Sequence, residues 1–181
     1  MPAEEKTNTQ VAAEIKNTPI ELKSGQIIIR DNQEGISFEN LFGAYLSGAK
    51  KIRLVDPYLR LPYQLKHLLE FCLMLAKLKT PVDEIQIKVI TWNEPDDMLK
   101  ITTENLEEIS DSVFDLGIKL SWDFNPNQHD RFIETDHGWK IILGRGLDIF
   151  LKPEGKFNIA ELWQEKRKCR ACEITYVKII P

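Results

Sequence analysis

Short apolar segments alternate with amphipathic ones along most of the chain, and this alternation predicts an α/β domain. The apolar segments are either continuous or alternate with polar residues, as strands do. Gly138 allows a tight turn between the fifth and sixth of them, which therefore predict a hairpin. The predicted strands are residues 26–30, 51–55, 84–91, 118–124, 130–135, 139–143 and 171–180.

Apolar residues three and four positions apart predict three helices between these strands. The first begins after Ser37, whose side chain suits an N-cap, and ends near Gly48. The third covers residues 97–116 and ends before Gly117, in the C′ position that favours glycine. Its acidic residues are expected to face solvent, and its predicted inward residues are Leu99, Leu106, Ile109 and Val113.

The second helix opens at Pro62 and ends before Thr80-Pro81. His67 falls three residues before Glu70 on the side away from the apolar stripe, and we interpret this pair as a solvated one rather than as ligands. The residues predicted to form the buried stripe are Leu65, Leu68, Leu69, Cys72, Leu73 and Ala76.

Asp56 stands out because it directly follows the predicted strand at 51–55. Pro57 cannot continue a central strand, so the Asp56 carboxylate is expected at the carboxyl end of that strand. In α/β sheets, this is where binding sites collect.

Length and composition fit one globular domain. A chain of 181 residues can bury about two-thirds of its unfolded surface, so it needs no disulfides to hold a core. The formal net charge of −4 argues against a dedicated nucleic-acid binder. No apolar run approaches the ~20 residues that cross a bilayer, and none follows the N-terminus as in a signal peptide. A cytoplasmic protein is therefore expected.

The N-terminal residues 1–24 are polar, and Pro19 interrupts any helix that begins there. They are predicted to form a flexible tail, which leaves residues 25–181 as the domain. A segment that folds on contact with a partner is the alternative.

The three cysteines add little chemistry. Cys169 and Cys172 form a lone Cys-x-x-Cys without a second ligand pair, so structural thiols are favoured over a zinc site or a redox pair. Cys72 falls on the apolar face of the second helix and is expected to pack there.

The most distinctive chemistry lies between His129 and Asp136. If residues 130–135 form a strand, its two-residue period places His129 and Arg131 on one face, where an imidazole and a guanidinium can face the same anion. Asp136 closes the strand. The alternative is a polar strand end whose charges are satisfied at the surface.

Two later segments supply further cations. Gly144-Arg145-Gly146 forms a loop whose amides and arginine suit a phosphate. Residues 166–170 are a basic run, which we interpret as a solvated face in preference to a phosphate or membrane contact. Between these segments, residues 157–165 form a short amphipathic piece.

The spacing His129-x-Arg131-x-x-x-x-Asp136 resembles the His-x-Lys-x-x-x-x-Asp motif of the phospholipase D superfamily, with arginine in the lysine position. More closely, the chain from about residue 26 onward resembles the phospholipase-D-like domain at the C-terminus of MIT (microtubule interacting and trafficking) proteins. The segments that carry this resemblance are Gly35-Ile36-Ser37-Phe38-Glu39-Asn40-Leu41-Phe42, Val55-Asp56-Pro57-Tyr58-Leu59-Arg60, Phe71-Cys72-Leu73-Met74-Leu75, and His129-Asp130-Arg131 through Gly138-Trp139 to Gly144-Arg145-Gly146-Leu147-Asp148.

The superfamily resemblance implies a role for each residue of the motif. In that chemistry one histidine attacks phosphorus, a histidine from a second motif protonates the leaving group, and lysines hold the phosphate oxygens. By position, His129 would be the nucleophile or general acid, Arg131 the phosphate clamp and Asp136 the orienting carboxylate. With one motif per chain, a twofold homodimer would have to bring two copies of His129 together.

Two departures from the motif weigh against catalysis. The planar fork of Arg131 is not equivalent to an ammonium, and residues 144–148 replace the Gly-Ser-x-Asn of active members. The MIT-associated family is regarded as catalytically silent and as binding acidic phospholipids, which implies phosphate binding without turnover. The 24-residue tail is too short for the three-helix MIT module, so the resemblance is to a stand-alone copy without that module's partner.

The resemblance implies a mixed β-sheet of the phospholipase D type, flanked by helices on both faces, with the site at one edge. The leading function is a dimeric module, without cofactor or metal, that binds acidic phospholipid or another phosphodiester and acts as a membrane or partner adaptor. An active phosphodiesterase and a protein-interaction scaffold stay open as alternatives. The predicted phosphate- or lipid-binding residues are Arg131, Lys140, Arg145 and Arg60.

Overall fold

The computed structural model describes residues 21–92 and 96–179. Within them, the periodicities of the sequence produce seven strands and three helices. In chain order the elements are β1 (Gly25–Ile29), α1 (Phe38–Leu46), β2 (Lys51–Val55), α2 (Pro62–Leu78), β3 (Ile85–Thr91), α3 (Asp96–Phe114), β4 (Ile118–Phe124), β5 (Phe132–Thr135), β6 (Trp139–Leu143), two single-turn 3₁₀ helices (Ile159–Glu161 and Gln164–Lys166) and β7 (Cys172–Lys178).

All seven strands join one mixed sheet in the order β1-β7-β6-β5-β2-β3-β4. Strands β2, β3 and β4 are parallel because α2 and α3 supply the long crossovers that parallel neighbours require. Strand β5 pairs antiparallel with β2, and β6, β7 and β1 continue antiparallel from it. The predicted mixed α/β sheet is therefore confirmed, and Val55 pairs with Phe132, so the end of β2 lies beside the start of β5.

One face of the sheet carries the core. The buried residues of all three helices form a single cluster with one alternating set of strand residues, such as Ile52, Ile87 and Ile141. The other face presents mainly charged and polar side chains around a small apolar cluster of Val55, Ile90 and Phe132. The prediction that helices cover both faces is therefore wrong, because in the described residues the apolar stripes of the helices all pack on the same set of strand side chains.

Helix α1 begins as predicted. Ser37 Oγ accepts a hydrogen bond from the Asn40 amide at 3.3 Å, and Asn40 Oδ1 accepts one from the Ser37 amide at 2.8 Å. This reciprocal cap satisfies two amides that the helix leaves unpaired. Gly117 also has the predicted role after α3, with φ of +75°.

Helix α2 buries a different face from the predicted one. Leu65, Leu68 and Cys72 are buried as expected, but Leu69 and Leu73 are exposed. His67 is buried instead of solvated, because the chain after β6 packs over that side of the helix. The residues that complete the buried face are Gln64, His67, Phe71, Met74 and Leu75. On α3, Leu99 is likewise exposed, whereas Leu106, Ile109 and Val113 are buried as predicted.

The basic run is not a uniformly solvated face. Arg167 is buried, and its guanidinium forms a two-pronged ion pair with the carboxylate of Glu70 on α2, at 2.9 and 2.6 Å. The same guanidinium donates to the carbonyl oxygens of Ala160 and Glu161. A run of cations therefore contains one structural residue, while Lys166 and Lys168 stay exposed.

Two further sequence predictions meet the structure only in part. Residues 1–20 of the predicted tail lie outside the described residues. Cys72, Cys169 and Cys172 are free thiols, and burial raises the pKa of Cys72 to about 12, which suits the predicted packing role. In the described part of the chain, every helix is too short or too polar to cross a bilayer.

Candidate functional site

A groove of about 460 Å³ lies where β5 begins and β6 ends. It brings together three of the residues singled out from the sequence, His129, Arg131 and Lys140. Because β5 begins at Phe132, His129 and Arg131 belong to the preceding loop and not to one face of a strand. The other residues that line the groove are Asp130, Phe132, Ile142, Leu143 and Gly144.

Arg131 is held by neutral groups. One Nη1–H donates to the carbonyl oxygen of Gly144 at 3.0 Å, and the guanidinium lies 4.4 Å from the centre of the Tyr58 ring. The enclosed Nε has no hydrogen-bond acceptor among the described residues. Because no described carboxylate forms an ion pair with this guanidinium, its charge is available to an anion in the groove.

His129 and Asp136 do not form a pair. His129 is exposed, and no described residue hydrogen-bonds to its ring. Asp136 lies at the opposite end of β5, about 16 Å from Arg131 at ~3.3 Å per residue. There its carboxylate accepts hydrogen bonds from the Lys50 amide at 3.1 and 3.3 Å. In this chain Asp136 therefore joins the start of β2 to the end of β5 and does not orient the imidazole.

The remaining predicted cations have separate surroundings. Lys140 pairs with Glu134 at 3.0 Å and lies over the Phe132 ring at 3.9 Å, so its ammonium stays beside the groove. Arg145 donates to the carbonyl oxygen of Asp148 at 3.4 Å within its own loop. Arg60 stacks on Tyr58 and Trp92, at 5.8 and 4.9 Å. Lys140 thus joins Arg131 in the groove, whereas Arg60 and Arg145 do not line it.

The buried carboxylate of Asp56 holds two loops near the groove in place. Its two carboxylate oxygens accept hydrogen bonds from the amides of Tyr58 and Leu147, each at 3.0 Å. Burial raises the pKa of Asp56 from 3.8 to about 6, although those amides and the nearby Arg131 favour its charged form. Asp56 therefore fixes both the loop that carries Tyr58 and the loop after β6.

Gly146 allows this contact. Its φ is +66°, and a Cβ at this position would lie 2.0 Å from Asp56 Oδ2. The Gly144-Arg145-Gly146 loop was expected to bind phosphate through its amides, but the next amide, that of Leu147, already donates to Asp56. The glycine at 146 thus serves close packing against a carboxylate.

A second histidine lies near this loop and was missed from the sequence. His67 Nδ1 lies 4.0 Å from Asp148 Oδ1, and Arg170 Nε lies 4.0 Å from the same oxygen. All three atoms are enclosed and lack hydrogen-bond partners among the described residues. Burial lowers the pKa of His67 below its usual value, so the neutral ring is favoured. The only sequence signal was that His67 lies one turn before Phe71 on α2, at the edge of the apolar stripe.

No group of three metal-ligating side chains occurs in the described part of the chain. The charged and aromatic groups at the site include Arg131, Lys140, Tyr58, Phe132 and the buried carboxylate of Asp56.

Comparison with known proteins identifies the fold around this groove. The model of the phospholipase D-like domain at the C-terminus of MIT proteins matches residues 35–178. The chain belongs to this family. The match includes the Asp56 end of β2 as well as the whole stretch from His129 to Asp148.

Mouse MIT domain-containing protein 1 is 35% identical to this phospholipase D-like domain over 145 residues. The aligned part covers 80% of this chain and 57% of the mouse protein, so the chain spans little more than half the length of that relative. The solved structure of phosphatidylserine synthase from Haemophilus influenzae Rd KW20 aligns with a TM-score of 0.45 and 10% identity, over 86% of this chain and 34% of that one.

Proposed function

We propose that this phospholipase D-like domain binds the phosphate of acidic phospholipids without cleaving it, and that it serves as a dimeric adaptor at a membrane. The observation that carries the proposal is the groove in which Arg131 and Lys140 meet His129. This groove supports phosphate binding and the absence of turnover, and the open face of the sheet supports dimerisation.

Phosphate binding is supported by the way Arg131 is held. Its contacts to the Gly144 carbonyl oxygen and to the Tyr58 ring fix the guanidinium without neutralising it. A guanidinium fixed in advance loses little side-chain entropy when a phosphate binds. Lys140 adds a second cation to the lining of the groove, and Glu134 holds it there.

Absence of turnover is supported by the surroundings of His129. A histidine nucleophile needs a partner that sets its tautomer and orientation. His129 is exposed without such a partner among the described residues, and the Asp136 carboxylate is occupied by the Lys50 amide at the other end of β5. The arrangement therefore favours binding over phosphoryl transfer.

Dimerisation is supported by the sheet face that the helices leave open. Ile28 lies on that face, is 64% exposed and does not line the groove. An isologous contact between two such faces through Ile28 would bury this isoleucine and bring two grooves onto one assembly. Sedimentation equilibrium tests this part: Ile28→Lys should yield monomers where the unmodified protein is dimeric.

Co-sedimentation with vesicles tests the binding itself. We expect the protein to bind vesicles that contain phosphatidylserine and to ignore those of pure phosphatidylcholine. Arg131→Ala should weaken this binding on the order of tenfold, because it removes a charged hydrogen bond. His129→Ala should change it less than twofold.

Lys100→Ala is the control, because Lys100 is an exposed lysine on α3 whose ammonium lies 3.8 Å from the Glu104 carboxylate. Equal binding to both kinds of vesicle would contradict the proposal. Hydrolysis of bis(p-nitrophenyl) phosphate that disappears in His129→Ala would establish the enzyme instead.

A further inference from the structure

Residues 156–163, here called the apolar loop, expose an unusual amount of hydrophobic surface. Phe157 is 93% exposed, Leu162 88%, Ile159 63% and Trp163 49%. Single exposed apolar residues are common on protein surfaces, but four large ones within seven residues form a patch, and such patches mark interaction sites.

The base of the apolar loop is fixed. Asn158 Oδ1 accepts from the Ala160 amide, and Asn158 Nδ2 donates to the Glu154 carbonyl oxygen, both at 3.0 Å. The buried Arg167 donates to the carbonyl oxygens of Ala160 and Glu161. The exposed side chains therefore project from an ordered support, and binding a partner would cost little backbone entropy.

The charges around the apolar loop favour an acidic bilayer as its partner. Residues 152–170 contain six Lys or Arg and three Glu, whereas the whole chain has a formal net charge of −4. The ammonium of Lys156 lies 5.5 Å from the Phe157 ring, and that of Lys166 lies 5.2 Å from the Trp163 ring. Aromatic residues beside lysines are typical of proteins that lie in the membrane interface, where rings enter the headgroup region and ammonium groups meet anionic lipids.

A cleft of about 840 Å³ adjoins the apolar loop and shares Leu162 with it. Its walls combine the apolar surfaces of Pro62 and Phe150 with four cations and two carboxylates, which are Lys66, Lys152, Arg167, Arg170, Glu70 and Glu161. This size and lining suit a small amphipathic ligand. The cleft is separate from the groove of His129 and Arg131, since the two share no lining residue.

His67 gives the cleft a second, independent sign of a ligand. Its ring lines the cleft, is only 8% exposed and is held edge-on by the rings of Phe38, Tyr63 and Phe150. Its Nδ1 faces Asp148 and lacks a hydrogen-bond partner among the described residues. Because Nδ1 has no hydrogen-bond partner in the described part of the chain, the neutral ring can carry its proton on the other nitrogen, Nε2, and donate it to a phosphate oxygen.

We propose that the apolar loop inserts into the interface of an acidic phospholipid bilayer while the adjoining cleft receives the phosphodiester of one headgroup, through Lys66, His67 and Arg170. This inference rests on the proposed function, that the domain binds acidic phospholipid, and adds a membrane contact separate from the groove.

Vesicle binding of loop variants tests the insertion. Phe157→Ser combined with Leu162→Ser should weaken binding to phosphatidylserine vesicles on the order of tenfold, because two large side chains no longer enter the interface. Val82→Ser is the matched control, since Val82 is 90% exposed but lies in the loop before β3. Lipids with brominated acyl chains should quench the fluorescence of bound protein, and Trp163→Phe should remove most of that quenching.

Proton NMR of His67 tests the cleft. Dihexanoyl phosphatidylserine should shift the His67 ring resonances, assigned with His67→Asn, and inorganic phosphate should shift them more weakly, because it cannot use the apolar walls. Lys66→Gln should weaken that titration several-fold. Lys77→Gln, an exposed lysine on the same helix, should not. An unshifted His67, or equal titration by both lysine variants, overturns the cleft assignment.

The outcomes separate this inference from the proposed function. If loop variants bind acidic vesicles as well as the unmodified protein does, the inference fails and the proposed function stands. If the unmodified protein does not distinguish acidic vesicles from neutral ones, both fail. If Phe157→Ser with Leu162→Ser abolishes a lipid-independent self-association and leaves vesicle binding intact, the apolar loop is a protein interface and the inference is overturned.

Discussion

Asp56 illustrates how much of this site depends on a single side chain. The sequence placed its carboxylate at the end of a buried strand, as the structure confirms. The sequence could not supply its partner, because Leu147 is 91 residues away and the contact exists only once the sheet has formed. The same limit applies to His67, whose neighbour Asp148 is also far away in sequence.

The raised pKa of Asp56 predicts a pH-dependent stability. The folded state keeps a proton on Asp56 up to about pH 6, whereas the unfolded state loses it near 3.8. The stabilisation from this proton is thus fully present below about pH 4 and is lost as the pH rises to about 6. Urea unfolding should show the stability of the protein relative to Asp56→Asn falling across this range, by up to about 3 kcal/mol. A difference that is constant with pH would contradict the assignment.

We predict that replacing Gly146 with alanine destabilises the fold more than the same replacement at Gly48. Gly146→Ala should lower the free energy of unfolding by at least about 3 kcal/mol, since the methyl group would displace the Asp56 carboxylate from the Leu147 amide. Gly48→Ala is the control, because Gly48 has a similar φ of +80° in open space and should cost only about 1 kcal/mol. Thermal unfolding of both variants measures the difference, and equal losses would mean that backbone strain alone is responsible.

At the scale of elements, periodicity predicted the strands better than the helix faces. The bounds of β2, β4 and β6 match because alternation directly reports one buried face. The predicted buried face of α2 was wrong because Leu69 and Leu73 are as apolar as Phe71 and Met74, so the sequence alone did not show which pair is buried. The distinction comes from the segment after β6, which packs on α2 through contacts that periodicity does not contain.

The Arg167–Glu70 ion pair predicts which cation of the basic run matters for stability. Arg167→Ala should cost about 3–5 kcal/mol in urea unfolding, because it leaves the Glu70 carboxylate with only the Gln164 side-chain amide as donor among the described residues and two carbonyl oxygens without the guanidinium. Lys168→Ala changes the same charge at an exposed neighbouring position and should stay within about 0.5 kcal/mol. Similar losses in the two variants would show that the run acts through its overall charge.

At the scale of the whole molecule, the groove and the cleft lie near the same end of the sheet. The groove adjoins the start of β5, next to the end of β2, and the cleft adjoins the start of α2, which follows β2. Three residues that line the groove, His129, Arg131 and Lys140, were singled out from the sequence, whereas the cleft and the open sheet face emerged only from the tertiary structure. For the molecule as a whole, we propose that it binds a phosphodiester and leaves it intact.

Phosphorus NMR of dihexanoyl phosphatidylserine with the protein tests that claim most directly, because one spectrum reports both binding and cleavage. We predict a saturable shift or broadening of the lipid resonance, weakened by Arg131→Ala, and no new resonance over many hours. A product resonance that appears with the unmodified protein and is absent with His129→Ala would contradict it, as would a lipid resonance that the protein leaves unchanged.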